Sequence, residues 1–356
     1  MKEISRVSDS EKTPRSLREM QGDVLARYQS SHYSMGTIFS ITAYGASSNY
    51  VEQVVRQAFQ EIDRLNGTMS HYRPDSELSI INREAFGRNV AVTPELFELL
   101  QESFRLSEET AGTFDITVGQ LMKSWGFFQE GERVPSQVEL LDVLKRTGFH
   151  HVKLDSETRS IRFDEPGIEL DLGAIGKGYA VDRVIEILRE NGIDCALVSS
   201  GTSSIYALGA PPGQKGWEIS ICHPLDRRKQ ACSFQLRDLS VSISGIHEKS
   251  FALDGRLYTH ILNPGDGMPA GKMLMSVVVT VSSTKSDALS TSFFAGGPDM
   301  SRAYLACHPD AAAILYVRND SSYSFEEIIL QSAVNPLPDD RIVYSGDLTA
   351  AQSCHN

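Results

Sequence analysis

The chain has 356 residues and a formal net charge of −12, with 41% hydrophobic and 22% charged residues. That balance excludes a disordered chain, a collagen and a coiled coil, and the length allows about two units of ~150 residues. The acidic charge argues against non-specific nucleic-acid binding, which runs on clustered Lys and Arg, and no run of ~18 apolar residues is present to form a transmembrane helix.

Residues 1–30 are charged throughout, with no apolar signal core and no lipobox cysteine, and read as a charged lead-in. With Met1 as the true start, the expected location is the cytoplasm. Leu17, Met20 and Val24 share a helical face, enough for a short docking helix. Ser34–Tyr44 reads as a strand. A helix then begins at a capping-box signal, Asn49 with Glu52, and places Val51, Val54, Ala58, Ile62 and Leu65 on one face. Residues 66–92 are loop-rich. Thr93-Pro94 opens a second helix that stops near Ala111-Gly112, and another is expected near 136–147.

From about residue 150 the apolar period changes to two. Strands are expected at 152–154, 161–163, 168–172, 195–200, 204–209, 217–222, 234–238 and 240–244, with a helix from 176 to 190 stopped by Gly192. Asp254-Gly255 supplies the positive φ of a type I′ hairpin turn. Met273–Ser283 is the longest strand, followed by short helices near 285–295 and 299–307 and a last strand at 312–318. The five cysteines, Cys195, Cys222, Cys232, Cys307 and Cys354, form no CxxC pair and read as reduced structural thiols.

Three segments carry chemistry. Asp171-Leu172-Gly173-Ala174-Ile175-Gly176-Lys177-Gly178 runs from a strand into a helix, where glycines admit close backbone approach and a helix N-terminus favours anions. Its spacing is neither that of a P-loop nor that of a dinucleotide fingerprint, and a plain tight turn is an equal reading. His260 leaves a strand just before the sharp turn Asn263-Pro264-Gly265, where an imidazole can move protons near neutral pH or serve as a structural hydrogen-bonding residue. Asp287 and Thr291 are four apart and share a helical face, a hard-oxygen half-site suited to Mg²⁺, unless Asp287 is simply a favourable charge at a helix start.

Taken in chain order, these blocks resemble the FAD:protein FMN transferases, the ApbE family. The resemblance spans Ser34 to Gly297: Met35-Gly36-Thr37, then Met69–Asn82, Thr113-Phe114-Asp115-Ile116-Thr117, Asp171–Asp182, Ser244-Gly245, His260-Ile261-x-x-Pro264 and Asp287-x-x-x-Thr291. It implies a flavin dinucleotide site lined by Met35, Tyr72, Thr113, Phe114, Asp115, Asp171, Lys177 and Ile261. It implies Mg²⁺ on Asp287, Thr291 and carbonyls near Ala174 and Ser290, with His260 in the catalytic centre. Lys177 and the amides beside it add a fixed positive field, and Asp171 is the rival of His260 for the base. The implied reaction cleaves FAD, passes FMN to a Ser or Thr of a target protein and releases AMP. The implied target carries a Ser/Thr-Gly-Ala-Thr motif preceded by Asp, which this chain lacks.

The expected fold is α+β, a largely antiparallel sheet with packed helices. A single catalytic domain, 31–331, holds the nucleotide in a cleft between subregions of about 31–150 and 151–331, and 332–356 is a C-terminal tail. The chain departs from the family pattern at Ser199–Ser204, at Ile246-His247 and at Gly265-Asp266, where the family carries a double glycine, an acidic-aromatic pair and a basic residue. Two alternatives stand beside this reading: hydrolysis of FAD to FMN and AMP at the same site, and a carrier that binds FAD without chemistry, against which the acid, metal and His set argues, since binding alone does not need all three.

Overall fold

The computed structural model describes residues 25–128, 131–247, 250–319, 325–331 and 341–346. In chain order the elements are β1 (Ala26–Ser34), β2 (Thr37–Gly45), α1 (Ser48–Met69), α2 (Glu77–Glu84), β3 (Val90–Ala91), α3 (Pro94–Glu109), α4 (Gly119–Ser124), α5 (Gln137–Leu144), β4 (Val152–Asp155), β5 (Ser160–Phe163), α6 (Gly176–Glu190), β6 (Ala196–Ser200), β7 (Ser204–Leu208), β8 (Trp217–Cys222), β9 (Gln230–Leu236), β10 (Leu239–Gly245), β11 (Ser250–Leu253), β12 (Arg256–Thr259), β13 (Met273–Thr280), α7 (Ser283–Cys307), β14 (Ala311–Arg318), β15 (Phe325–Gln331) and β16 (Ile342–Gly346).

The fold is α+β, as expected. An antiparallel sheet of eight strands in the order β1-β2-β6-β7-β10-β13-β14-β15 forms its centre. Alternate residues of β2 (Phe39, Ile41 and Ala43) are fully buried, as a strand with one packed face requires. Helices α1, α6 and α7 pack on one another and on this sheet. The α1 face of Val51, Val54, Ala58, Ile62 and Leu65 is buried as the 3.6-residue period predicts. A second apolar cluster of Leu121, Trp125, Val143, Phe251 and Leu262 joins α4 and α5 to the β11–β12 hairpin. Asp254 and Gly255, both at positive φ, close that hairpin as expected.

Several local expectations shift. Residues 26–30, counted with the lead-in, begin β1, which pairs with β2 across a tight turn where Met35 and Gly36 take φ of 49° and 74°. The proposed face of Leu17, Met20 and Val24 lies outside the described residues, as does Cys354. Helix α1 is capped by Ser47 rather than Asn49, because the Ser47 hydroxyl accepts the Tyr50 N–H. The segment 66–92 is not mainly loop: Ser76 caps α2, whose Leu78 and Ile81 are buried. Residues 168–172 are extended but hold only an isolated bridge at Glu169. The two helices expected after residue 283 form α7, broken at Gly297 (φ 74°) before Pro298, which cannot donate to the helical ladder. Within the region read as the tail, Ile342–Gly346 forms β16 on β9. Cys195, Cys222, Cys232 and Cys307 are free thiols.

Candidate active site

A cavity of about 810 Å³ opens where these elements meet. The Met35–Thr37 turn, the segment after α1, the Thr113–Asp115 loop, the start of α6, the His260 loop and the inner face of α7 all contribute to its wall. Every site residue expected from the sequence lies on that wall except Ser290. Ser290 sits buried behind it, its hydroxyl donating to the Asp287 carbonyl at 2.9 Å and lying 2.8 Å from Ser244 Oγ.

The segment from Asp171 to Lys177 folds back on itself. Asp171 donates its own N–H to the Ile116 carbonyl at 2.7 Å and accepts the Gly173 N–H on Oδ1 at 3.0 Å. Lys177 Nζ donates to the Gly173 carbonyl at 2.9 Å. Helix α6 begins at Gly176, so the positive end of its dipole and the Lys177 charge stand together at the cavity wall, a combination that favours an anion.

Asp287 is 3% exposed, and Gly178 N–H donates to its Oδ2 at 2.9 Å. Burial pushes its carboxyl pKa up, while the Lys177 charge and the Gly178 amide pull it the other way. Thr291 lies one helical turn on, with its hydroxyl 3.3 Å from Ser244 Oγ. Among the described residues no three His, Cys, Asp or Glu side chains gather as a metal cluster. A cation on this wall would therefore rest on one carboxylate, hydroxyls and backbone carbonyls. That all-oxygen set suits Mg²⁺, and a carboxylate buried this deeply is stabilised as an anion by a positive partner.

The expected flavin-site residues differ in what their polar groups do. Tyr72 is 61% exposed at the rim, its ring 3.8 Å from that of His71. Phe114 belongs to the main core as well as to the wall. Asp115 has both oxygens engaged: Oδ1 accepts the Thr117 N–H and hydroxyl, and Oδ2 accepts the Phe149 N–H. Its carboxylate holds the loop in shape, although burial pushes its pKa up. Thr113 Oγ1 donates to the Thr110 carbonyl and lies 2.7 Å from Ser292 Oγ, which ties this loop to α7.

His260 follows β12, and the turn after it is held by Trp125, whose indole N–H donates to the Gly267 carbonyl at 2.9 Å. At the departures from the family pattern, Thr202 and Ser203 still line the cavity, whereas Ile246 is buried and Asp266 closes its own turn by accepting the Met268 N–H.

The sequence reading passed over three residues. His71 Nδ1 lies 3.4 Å from Asp171 Oδ1, and its ring packs between Tyr72 and Phe128. Phe128 lines the same wall. Asp182 grips the start of α7 with four hydrogen bonds. Position within the matched blocks marked His71 and Asp182, but only their neighbours in space give them roles.

A family model described as the ApbE family matches residues 35–315. The chain belongs to the ApbE family. Among its relatives, a protein named FAD:protein FMN transferase from Klebsiella pneumoniae is 31% identical over 86% of this chain and 92% of its own length. A protein of the same name from Treponema pallidum is 30% identical over 81% and 83%. Among solved structures, the ApbE protein of Thermotoga maritima superposes with a TM-score of 0.78 at 27% identity, covering 86% of this chain and 97% of that one. The flavin transferase ApbE of Vibrio cholerae gives 0.76 at 27%, covering 87% and 98%. The ApbE-like sheet, helices and cleft expected from the motifs are therefore the family's own architecture. Among the described residues no helix is long and apolar enough to cross a membrane.

Proposed function

We propose that this chain is a transferase that moves FMN from FAD to a Ser or Thr hydroxyl of a target protein, with Mg²⁺ as cofactor and AMP as leaving group. The reading is carried by the convergence of Asp171, Lys177, His260, Asp287 and Thr291, from three separate stretches of sequence, on one cavity wall. The names of its relatives point the same way.

Each residue has a task in that reaction. Asp287, Thr291 and the Ala174 carbonyl would hold the cation, whereas Ser290, also expected to lend a carbonyl, lies behind the wall and supports Asp287 through its hydroxyl. When bound, Mg²⁺ neutralises the pyrophosphate and stabilises the leaving phosphate. Lys177 and the positive end of the α6 dipole orient the pyrophosphate by charge, since the Gly176 and Gly178 amides already donate to the Leu172 carbonyl and to Asp287. The acceptor hydroxyl attacks the FMN-side phosphorus and passes its proton to His260. The bond from that phosphorus to the bridging oxygen breaks, and AMP departs with the electron pair. Asp171 is the alternative base. Its existing bond to the Gly173 N–H and its approach to His71 favour a positioning role. Met35, Tyr72, Thr113, Phe114, Asp115 and Ile261 shape the flavin dinucleotide site.

Chromatography of a reaction containing FAD, Mg²⁺ and an acceptor domain bearing the Ser/Thr-Gly-Ala-Thr motif tests this reading. AMP release should require the metal and should fall ~10²-fold or more in Asp287→Ala, with an unchanged circular dichroism spectrum. AMP accompanied by free FMN would mean hydrolysis. Intact FAD would leave a binding protein.

A further inference from the structure

We infer that Asp182 is a positioning residue for the metal-binding helix: from α6 it fixes where α7 begins, and thereby where α7 presents Asp287 and Thr291. This inference rests on the metal reading under Proposed function and deepens it.

The Asp182 carboxylate takes four hydrogen bonds from the first residues of α7. The N–H groups of Ser283 and Thr284 donate at 2.7 and 2.8 Å, and the hydroxyls of Ser282 and Thr284 donate at 2.7 Å each. Two of these donors are backbone amides of a first helical turn, which have no partner inside their own helix. A carboxylate there is bonded by charge and also favoured by the helix dipole.

One turn earlier on α6 lies a second tie. Gly178 N–H donates to Asp287 Oδ2, and a Cβ at Gly178 would come within 2.1 Å of the Ser283 carbonyl oxygen and 2.7 Å of Asp287 Cβ. Positions 178 and 182 of α6, four residues apart, thus clasp position 287 of α7 and, three to five residues before it, the helix start at 282–284. Lys177, which lowers the Asp287 pKa through its charge, sits on the same turn of α6. Sliding or tilting of α7 against α6 would move the Asp287 carboxylate relative to Ala174 and the cavity. The hydroxyl pairs Ser240–Ser283, Ser242–Ser286 and Ser244–Ser290 hold the opposite flank of α7 against β10, so the Asp182 clasp supplies the constraint from the α6 side. Groups that orient metal ligands in this way commonly change metal affinity by 10–100-fold when removed.

Direct metal binding tests the inference, with Mn²⁺ as the probe, titrated by electron paramagnetic resonance on the full chain. In Asp182→Asn the neutral amide keeps the size of the side chain but not its charge or its second acceptor. Binding should weaken about tenfold or more. FAD affinity measured in chelator should stay within about twofold, and turnover should recover at saturating metal. Thr284→Val removes one of the four donors and should give a smaller loss of the same kind, which keeps the test informative if Asp182→Asn folds poorly. Asp310→Asn, which breaks only the Lys285 tie at the same end of α7, should leave Mn²⁺ binding unchanged. Mn²⁺ binding at wild-type strength in both Asp182→Asn and Thr284→Val, alongside loss in Asp287→Ala, would overturn the positioning role alone. A wild-type chain that takes up no Mn²⁺ would overturn the metal reading and this inference with it.

Discussion

His260 and Asp287 face one cavity from the two sides of β13 in sequence, the loop before it and the helix after it, and their predicted defects differ in kind. His260→Ala should lower kcat ~10²–10⁴-fold while FAD affinity stays within about threefold, as expected for a proton-transfer group. An equal loss in kcat and in affinity would make it a binding residue. Burial raises the Asp287 carboxyl pKa, so in the proposed metal site protons would compete with a cation at a higher pH than at an ordinary carboxylate. Mg²⁺ affinity should therefore weaken on acidification from neutral pH, starting above the usual aspartate range near ~4. Calorimetric titration of Mg²⁺ across that range checks the sign, and affinity that rises as pH falls would contradict it. Asp115 shows a boundary of sequence reading. Its motif points to the flavin site, whereas the engagement of its carboxylate by Thr117 and Phe149 emerges only in three dimensions.

At the level of elements, helix α6 was legible because its apolar spacing and its bounding glycines agree with each other. It runs from Gly176 to Glu190, and Gly192 follows at φ 67°. Helix α2 was missed because Tyr72-Arg73-Pro74-Asp75 reads as turn, while the cap that starts the helix is Ser76. Ser76 accepts the Ser79 N–H and donates to the Ser70 carbonyl, a fold-back visible only in three dimensions. The α6–α7 crossing was also hidden. Gly178 reads as part of an anion-binding turn, yet its missing side chain is what lets α7 approach. Gly178→Ala should destabilise the protein by ~1–3 kcal/mol and depress transfer, because a Cβ must displace the Ser283 backbone. A thermal melt on the wild-type curve would show that the two helices separate at no cost.

The molecule as a whole carries a net charge of −12 yet, in the proposed reaction, must hold an anionic pyrophosphate. Local charge resolves that conflict: the α6 N-terminus and Lys177 present a positive field at the cavity wall. The long-range order of motifs revealed this site more fully than any single segment. Met35, Tyr72, Asp171, His260 and Asp287 lie far apart in sequence, and a Gly-rich turn or a lone histidine has a structural explanation of its own. Strand order and the depth of the cavity depend on how eight strands pair, which periodicity alone does not encode. The central claim, transfer of FMN to a protein hydroxyl, is tested most directly by intact-mass spectrometry. The acceptor domain is incubated with this chain, FAD and Mg²⁺, beside a chelator control. A metal-dependent FMN adduct on the acceptor is the predicted result. An unmodified acceptor in a reaction where FAD has been fully cleaved to FMN and AMP would contradict it.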